Sequence, residues 1–366
     1  MKLNPVLERL TPYRAGPPLA TVQKRYNLAQ IARLSANESA DGPFPEVVDA
    51  LKEALDGLNR YPDGWCADLR ETLAAQLDIP ESCLVFGNGS CELLMLLGEA
   101  FLGPDRHSVF PLPSFVMYKA IAAANSAPFT AVAQPELRYD TDALIAALRE
   151  ETTLLTICNP NNPTGGYLEP RQLRSLLDRV SEHTVVILDE AYGEFVTAAA
   201  DQDTAPWVAD YPNLVVLRSF SKIYGLAGLR IGYGIACPEI IDALDKLRQP
   251  FNVGTLPQVA ALESLRHPAR MEERRVHVDR ERRRMSAELD RIGVGVLSSQ
   301  ANFLLVNVEG LAVPGEEAAQ ALLERGVMIR SGYAMGCPGW IRVTIGKVNE
   351  NEHFLAALAE LRGFGG

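Results

Sequence analysis

Residues 218–234 read RSFSKIYGLAGLRIGYG, a stretch that holds Lys222 and Arg230 among four glycines. Glycine costs a helix or strand about 1 kcal/mol per residue relative to alanine. A lysine on a solvated surface would not need so many glycines around it. The stretch therefore indicates a functional site rather than an ordinary surface turn.

Short apolar runs on both sides of this stretch alternate with helical patterns from about residue 83 to residue 236. The runs are CLVF, SVF, FTAVA, LLTIC, TVVILD, LVVLRS and RIGYGIA. This rhythm is typical of an α/β protein with a mostly parallel, seven-stranded sheet covered by helices on both faces. Ligands of such sheets bind at the carboxyl ends of the strands, so the residues after each run are candidates for the site.

The pattern of apolar and charged residues changes after residue 255. A long charged helix is expected over roughly 268–291, followed by the apolar run FLLVNV, a helix near 315–325 and the run WIRVTIG. The first residues are rich in proline and show little periodicity. We therefore predict an N-terminal arm at 1–34, a large domain at 35–255 and a small α+β C-terminal domain at 256–366.

The charge balance disfavours polyanionic partners. Lys and Arg number 35 against 46 Asp and Glu, a formal net charge of −11, so neither nucleic acid nor an anionic membrane surface is an expected partner. Acidic residues at 272, 273, 279, 281 and 288 are interspersed with the arginine cluster at 282–284, which predicts a mixed, solvated helix face. The sequence shows neither a signal peptide nor an apolar run of about 18 residues, so we expect a cytoplasmic protein.

The six cysteines are scattered without a Cys-x-x-Cys pair. This spacing is typical of free thiols in a reducing compartment, and we expect no structural metal.

Polar and aromatic residues follow the predicted strands. Gly89 and Ser90 come between CLVF and a helix, where exposed N–H groups and the helix dipole would favour a phosphate. Phe115 could lie flat on a planar ligand. Asn162 follows LLTIC and is free to donate a hydrogen bond, and Asp189 ends a buried strand, where a carboxylate needs a cation. Each of these features alone also has an ordinary structural explanation.

Together these groups describe one ligand, pyridoxal 5′-phosphate. The expected contacts are Ser90, Ser219, Ser221, Arg230 and backbone N–H groups for the phosphate, Phe115 for the ring face, Asp189 for the ring nitrogen, Asn162 and Tyr192 for the phenolic oxygen, and Lys222 for the aldehyde. Asp189 would keep the pyridine nitrogen protonated, so that the ring can accept electrons when the substrate Cα loses its proton. Lys222, once displaced by an amine, could move that proton as a base and then as an acid.

Three longer motifs resemble those of the fold-type-I aminotransferases of classes I and II. They are NPNNPTG at 159–165, DEAY at 189–192 and SFSKIYGLAGLRIGY at 219–233. Within these classes the chain is most similar to the histidinol-phosphate aminotransferases. The finer matches are PY-x-x-G at 12–16, YPDG at 61–64, GNGS at 87–90, PSFVMY at 113–118, RQPFNV at 248–253 and IRVTIG at 341–346.

The resemblance implies further roles. Gly89 and Cys91 join the phosphate loop, and the catalytic residues are Lys222, Asp189 and Tyr192. The resemblance also implies a homodimer with shared active sites, in which Tyr61 reaches the phosphate of the neighbouring subunit's cofactor. The substrate-binding residues would be Arg342 as the grip for an anion, Arg330 as a second anion contact, Asn37, and Tyr13 as part of a lid.

The expected reaction moves an amino group between glutamate/2-oxoglutarate and histidinol phosphate/imidazole acetol phosphate. An aromatic amino-acid aminotransferase is the alternative, and a decarboxylase of the same fold is a more distant one. A non-catalytic binding protein is disfavoured because Lys222 and Asp189 are both present. The chain departs from the family pattern at Ser39 and Ala40, at Cys91 and at Lys347, which leaves the preferred amino substrate open.

Overall fold

A computed structural model of the chain describes residues 1–3, 5–12, 16–198 and 203–363. Tyr13, predicted as part of a lid, lies outside these residues. The strands are β1 (Ala32–Arg33), β2 (Leu84–Gly87), β3 (His107–Leu112), β4 (Phe129–Ala133), β5 (Thr152–Cys158), β6 (Val185–Asp189), β7 (Leu214–Ser219), β8 (Gly232–Ile235), β9 (Phe303–Asn307), β10 (Val327–Met328), β11 (Arg330–Ser331) and β12 (Trp340–Thr344).

The α-helices complete the α/β pattern. They are α1 (Leu19–Tyr26), α2 (Pro45–Ala54), α3 (Ala67–Leu77), α4 (Ser90–Phe101), α5 (Met117–Ala124), α6 (Thr141–Ala146), α7 (Pro170–Leu177), α8 (Pro238–Leu247), α9 (Thr255–Leu265), α10 (Pro268–Arg291), α11 (Ala318–Glu324) and α12 (Val348–Arg362). Short 3-10 helices occur at Pro5–Arg9, Leu55–Gly57, Glu81–Cys83, Pro135–Leu137, Gly193–Phe195, Ala205–Ala209, Ala227–Leu229 and Tyr333–Met335.

The predicted apolar runs from 83 to 236 form one seven-stranded sheet. Its strand order is β2-β8-β7-β6-β5-β3-β4. Strand β8 is antiparallel to both of its neighbours, and the strands from β7 to β4 are parallel. The predicted α/β class with a mostly parallel, seven-stranded sheet is therefore confirmed.

Except at the edge strand β4, both faces of this sheet are buried, which explains why its strands are continuous apolar runs rather than alternating ones. In β6, Val186 and Leu188 belong to one apolar core and Val185 and Ile187 to another on the opposite face. Helices cover both cores, and the carboxyl ends of the strands are left as the accessible edge.

The C-terminal part of the chain has a three-stranded antiparallel sheet of order β11-β12-β9 and its own apolar core, which includes Phe303 and Phe354. Strand β1, within the predicted arm, pairs in parallel with β10 and so attaches residues 32–33 to this part. The boundaries after residues 34 and 255 stay predictions.

The expectation of a wholly solvated face on α10 is wrong at two positions. Glu281 and Arg282 are 2% and 5% exposed. Arg282 donates to Asp279 at 2.7 Å and to the Ala301 carbonyl at 3.0 Å, while Glu281 accepts from Arg284 at 2.8 Å. Pairing of opposite charges along the helix offsets the loss of water, so these side chains can be buried.

No helix in the described part of the chain is both long enough and apolar enough to cross a bilayer.

Candidate active site

A cavity of about 420 Å³ opens at the carboxyl ends of β5, β6 and β7. Its wall contains residues from the N-terminal segment, the seven-stranded sheet and β12. Among the residues predicted from the sequence, those in the wall are Asn37, Ser90, Cys91, Phe115, Asn162, Asp189, Tyr192, Ser219, Ser221, Lys222, Arg230 and Arg342. The fold thus brings together most of the predicted site.

Arg230 closes one end of this cavity. Its guanidinium donates to Ser221 Oγ at 3.2 Å and to the Asn88 carbonyl at 3.1 Å. Gly89 has a φ of 77°, and a Cβ there would lie 2.4 Å from Arg230 Nη2. Only glycine therefore allows the guanidinium to lie against the turn between β2 and α4.

The same end of the cavity holds further donors suited to an anion. Helix α4 begins at Ser90, and Ser219 Oγ accepts from the Ser221 N–H at 3.1 Å. A Cβ on Gly232 would lie 2.6 Å from Ser90 N, so β8 approaches the helix N-terminus closely. Hydroxyls, a guanidinium and the positive end of a helix dipole make this end of the cavity a cradle suited to an anion.

Glu92 fixes the turn that precedes α4, a role that the sequence analysis missed. Its carboxylate accepts from the Asn88 N–H at 2.7 Å and from Asn252 Nδ2 at 2.8 Å. Asn88 Nδ2 in turn donates to the Asn252 carbonyl at 2.6 Å. The Glu92 partners Asn88 and Asn252 lie in the motifs GNGS and RQPFNV. The contact between the two motifs could not be read from either motif alone.

Asp189 ends β6 inside the cavity wall and is 3% exposed. Burial raises the pKa of its carboxyl, whereas the hydrogen bond from Tyr118 lowers it. The Tyr118 hydroxyl donates to Asp189 Oδ2 at 2.8 Å, and its ring meets that of Phe115 edge to face at 5.8 Å. Tyr118 is a second residue that the sequence analysis missed, although it ends the quoted motif PSFVMY.

Tyr192 lies at the centre of a chain of hydrogen bonds. Its hydroxyl oxygen accepts from Asn37 Nδ2 at 3.0 Å and from Asn162 Nδ2 at 3.3 Å. Arg342 donates to Asn162 Oδ1 at 2.6 Å and to the Ser35 carbonyl at 2.8 Å. Burial raises the pKa of Tyr192, so the phenol keeps its own proton for donation. The network holds the polar groups of this wall in fixed orientations.

Lys222 lies in the wall of the same cavity as Arg230 and Tyr192. Lys222 Nζ donates to the Ala36 carbonyl at 3.4 Å and is 5.5 Å from the centre of the Tyr192 ring. Burial, and secondly the positive charge of Arg342, lower the pKa of Lys222 from 10.5 to about 8. A sizeable fraction of the amine is therefore neutral near pH 7.5, as a nucleophile or a general base requires.

Comparison with known proteins identifies the family. The model of the family "Aminotransferase class I and II" matches residues 29–358. The chain belongs to the class I and II aminotransferases. The resemblance drawn from its motifs is thereby confirmed.

Relatives of this aminotransferase carry a narrower name. The histidinol-phosphate aminotransferase of Halalkalibacterium halodurans is 38% identical over 99% of this chain and 97% of the relative. The proteins of the same name from Geobacillus thermodenitrificans and Bacillus subtilis are 39% and 38% identical, each over 99% of this chain and over 98% and 100% of the relative.

Solved structures agree with the aminotransferase fold. Histidinol-phosphate aminotransferase from Sinorhizobium meliloti, solved with pyridoxal 5′-phosphate, has a TM-score of 0.89 and 28% identity over 99% of this chain and 98% of that chain. Aspartate aminotransferase from Thermus thermophilus, solved with maleate, has a TM-score of 0.86 and 22% identity over 99% of each chain. The second likeness concerns the fold alone.

Some predicted residues of the aminotransferase lie outside the cavity wall. Tyr61 is 82% exposed and stacks on Phe251, with 4.8 Å between ring centres. Arg330 is half-buried in β11, directly opposite Arg342 of β12. Gly89 acts from behind the wall through its contact with Arg230. The binding roles assigned to these residues stay predictions.

Proposed function

We propose that this aminotransferase transfers an amino group between glutamate/2-oxoglutarate and histidinol phosphate/imidazole acetol phosphate, a step of histidine biosynthesis. The observation that carries the proposal is the full-length similarity, at 38–39% identity, to proteins named histidinol-phosphate aminotransferase. Of the departures noted in the sequence, only Cys91 lies in the cavity wall. Burial raises the pKa of the Cys91 thiol, so this residue adds no negative charge at neutral pH.

The residues of the cavity fit pyridoxal 5′-phosphate. Gly89 and Gly232 leave a cradle that a Cβ would fill, and Ser90, Ser221 and Arg230 offer donors there to a phosphate. The cavity wall also contains the buried carboxylate of Asp189, which suits a ring nitrogen, the aromatic ring of Phe115, which suits a ring face, and the Asn162 and Tyr192 side chains, which suit a phenolic oxygen. The donor set therefore matches each part of this cofactor.

When bound, pyridoxal 5′-phosphate supplies an aldehyde that condenses with amines and a ring that takes up the electron pair left at the substrate Cα. Lys222 Nζ would hold the aldehyde and, once free, would take the proton from the substrate Cα as a base and give it up as an acid. The Asp189 carboxylate would stabilise a positive charge on the ring nitrogen. Tyr118 orients that carboxylate through its hydrogen bond.

Two arginines support the assignment of substrates. Arg342 and Arg330 are directly opposite each other in an antiparallel pair, so their side chains leave the same face of the sheet. Glutamate carries two carboxylates and histidinol phosphate carries a phosphate but no carboxylate, so one site must accept both kinds of anion. A guanidinium fork binds either group through two N–H donors, which the point charge of lysine does not.

Half-reactions test the proposal. The purified holoenzyme is mixed separately with glutamate, histidinol phosphate and phenylalanine, and conversion of the cofactor to its amino form is followed by visible absorbance. We expect specificity for histidinol phosphate to exceed that for phenylalanine at least about 100-fold, because a phosphate adds charged hydrogen bonds. Equal or higher specificity for phenylalanine would make the protein an aromatic aminotransferase, and release of CO₂ without a keto acid would indicate a decarboxylase.

Arginine-to-lysine variants then locate the anion site. Arg342→Lys should impair both half-reactions, whereas Arg330→Lys should impair histidinol phosphate more than glutamate. Arg325→Lys is the control, since Arg325 pairs with Glu360 at the surface. Equal losses for both substrates in the Arg330 variant would contradict its assignment to the phosphate.

We also propose that the protein is cytoplasmic and forms a homodimer. In this dimer Tyr61 would reach the partner's site, because this exposed tyrosine lies outside the cavity of its own chain. Mixing inactive Tyr61→Ala and Lys222→Ala proteins, after subunit exchange, tests the proposal. If the sites are shared, random pairing leaves about a quarter of them intact and restores activity. A mixture that stays as inactive as its components, although mass spectrometry shows mixed dimers, would refute sharing.

A further inference from the structure

Arg274 of α10 contacts the backbone of two separate segments, the lysine loop (residues 221–225) and the segment 35–42. Its Nη1 donates to the Ile223 carbonyl at 2.8 Å, and its Nη2 donates to the Gly42 carbonyl. The guanidinium carbon is 4.3 Å from the centre of the Phe44 ring. One half-buried side chain therefore joins three separate parts of the chain.

The two carbonyls belong to segments that determine where the Lys222 amine lies. Ile223 is the next residue after Lys222, so its carbonyl fixes the backbone from which the lysine side chain starts. Gly42 ends the segment 35–42, which supplies the Ala36 carbonyl that accepts from Lys222 Nζ at 3.4 Å. Arg274 thus holds the base of the lysine and the group that its amine contacts.

The packing around this guanidinium leaves little room for another arrangement. Gly225 has a φ of 73°, and a Cβ there would lie 2.9 Å from Arg274 Nη1 and 2.9 Å from the Gly42 carbonyl oxygen. The lysine loop therefore closes directly over the guanidinium. This contact gives Gly225 a purpose that the sequence did not reveal.

We infer that Arg274 is a positioning residue for Lys222, holding the lysine loop and the segment 35–42 in the register that keeps the amine in the cavity. The inference rests on the proposed function only in giving Lys222 its catalytic role. A guanidinium suits the task because its two N–H groups diverge to two carbonyls, whereas a lysine ammonium would keep one contact at the expense of the other.

The test uses Arg274→Met and Arg274→Lys, with Arg283→Met as the matched control. Arg283 is on the same helix, 73% exposed, and pairs with Asp279 at the surface. The first readout needs neither cofactor nor activity. The cofactor-free protein is labelled with an amine-reactive reagent across pH 6–11, and the midpoint for Lys222 is read by peptide mass spectrometry.

We expect a wild-type midpoint near 8 and a rise of about one pH unit in Arg274→Met, since a displaced amine gains water and loses its fixed neighbours. The charged or titratable groups that face Lys222 include Arg342, Arg230, Cys91, Glu38, Asp189 and Tyr192, and none of them is changed. Arg274→Lys should show an intermediate midpoint, and Arg283→Met should match the wild type.

Steady-state kinetics of the holoenzyme provide the second readout. In Arg274→Met we expect kcat to fall at least about tenfold with KM for glutamate within about twofold, because the anion-binding arginines are untouched. Partial recovery of kcat in Arg274→Lys would support positioning.

An unchanged Lys222 midpoint with unchanged kcat, accompanied only by a lower melting temperature, would overturn the inference and leave Arg274 a purely structural residue. If Arg274→Met does not fold, the same comparison between Arg274→Lys and wild type decides. If the wild type fails to transaminate histidinol phosphate, the proposed function fails, but the labelling of the cofactor-free protein still tests Arg274.

Discussion

Replacing Lys222 by methionine should stabilise the cofactor-free protein at neutral pH. The cavity lowers the pKa of this lysine from 10.5 to about 8, so the fold bears a charge that its surroundings disfavour. Each pKa unit corresponds to about 1.4 kcal/mol, which sets a ceiling of about 3 kcal/mol. Because Lys222 is only partly buried and methionine loses the contact with Ala36, we expect a smaller gain of about 1 to 2 kcal/mol.

The gain must depend on pH in a defined direction. Below pH 8 the amine is charged in both the folded and the unfolded chain, and the folded wild type bears the full penalty. Between pH 8 and 10.5 the folded state loses the proton while the unfolded state keeps it, so wild-type stability rises with pH. Above 10.5 both states are neutral. The advantage of Lys222→Met should therefore be largest below pH 8 and shrink as the pH rises through the window from 8 to 10.5.

Urea unfolding of both cofactor-free proteins at pH 7 and pH 9.5, at one protein concentration, measures this difference. Lys246→Met is the control, because Lys246 is an exposed lysine in α8 and its replacement should change stability by less than about 0.5 kcal/mol at either pH. A Lys222→Met variant that is less stable than wild type at pH 7, or a difference that is the same at both pH values, would refute the reasoning.

Three further predictions concern the holoenzyme. Asp189→Asn should slow proton abstraction from the substrate Cα at least about 100-fold, measured by stopped-flow absorbance, because an amide does not stabilise a cationic ring nitrogen. Tyr118→Phe removes a hydrogen bond worth about 0.5 to 1.5 kcal/mol, so kcat should fall about 2- to 13-fold. The pKa of Asp189 should rise, which moves the acid limb of the pH–rate profile to higher pH. Gly232→Ala should weaken retention of the cofactor on dialysis, since its Cβ would lie 2.6 Å from Ser90 N. The control Gly228→Ala, which has no atom within 4 Å of the added carbon, should retain the cofactor as the wild type does.

The large sheet could be predicted from the sequence because its strands are buried on both faces. Continuous apolar runs ended by polar residues mark such strands clearly, and the runs LLTIC, TVVILD and LVVLRS correspond to β5, β6 and β7 within two residues. The helix 268–291 was predicted with the observed bounds. What the runs did not reveal was strand order, which depends on contacts between residues far apart in the chain.

The candidate site was predictable where a side chain with distinctive chemistry follows a strand, as at Asp189 and Lys222. It was not predictable where the contact is made by the backbone. The Ala36 carbonyl contacts the lysine amine through a group that every residue possesses, so no residue type marks it. Tyr118 was missed for another reason, since an aromatic residue in a helix is ordinarily a core residue and only the fold places its hydroxyl against Asp189.

The antiparallel direction of β8 explains why one short stretch supplies both Lys222 and the guanidinium of the cradle. Strands β2 and β7 point the same way, so the turns that contain Asn88 and Ser221 lie at the same edge of the sheet. Strand β8 runs between them in the opposite direction, so its beginning, rather than its end, lies at that edge. Arg230, two residues before β8, is therefore within hydrogen-bonding distance of both turns. Had β8 been parallel to its neighbours, Arg230 would lie at the far edge and the cradle beside Lys222 would lose its guanidinium.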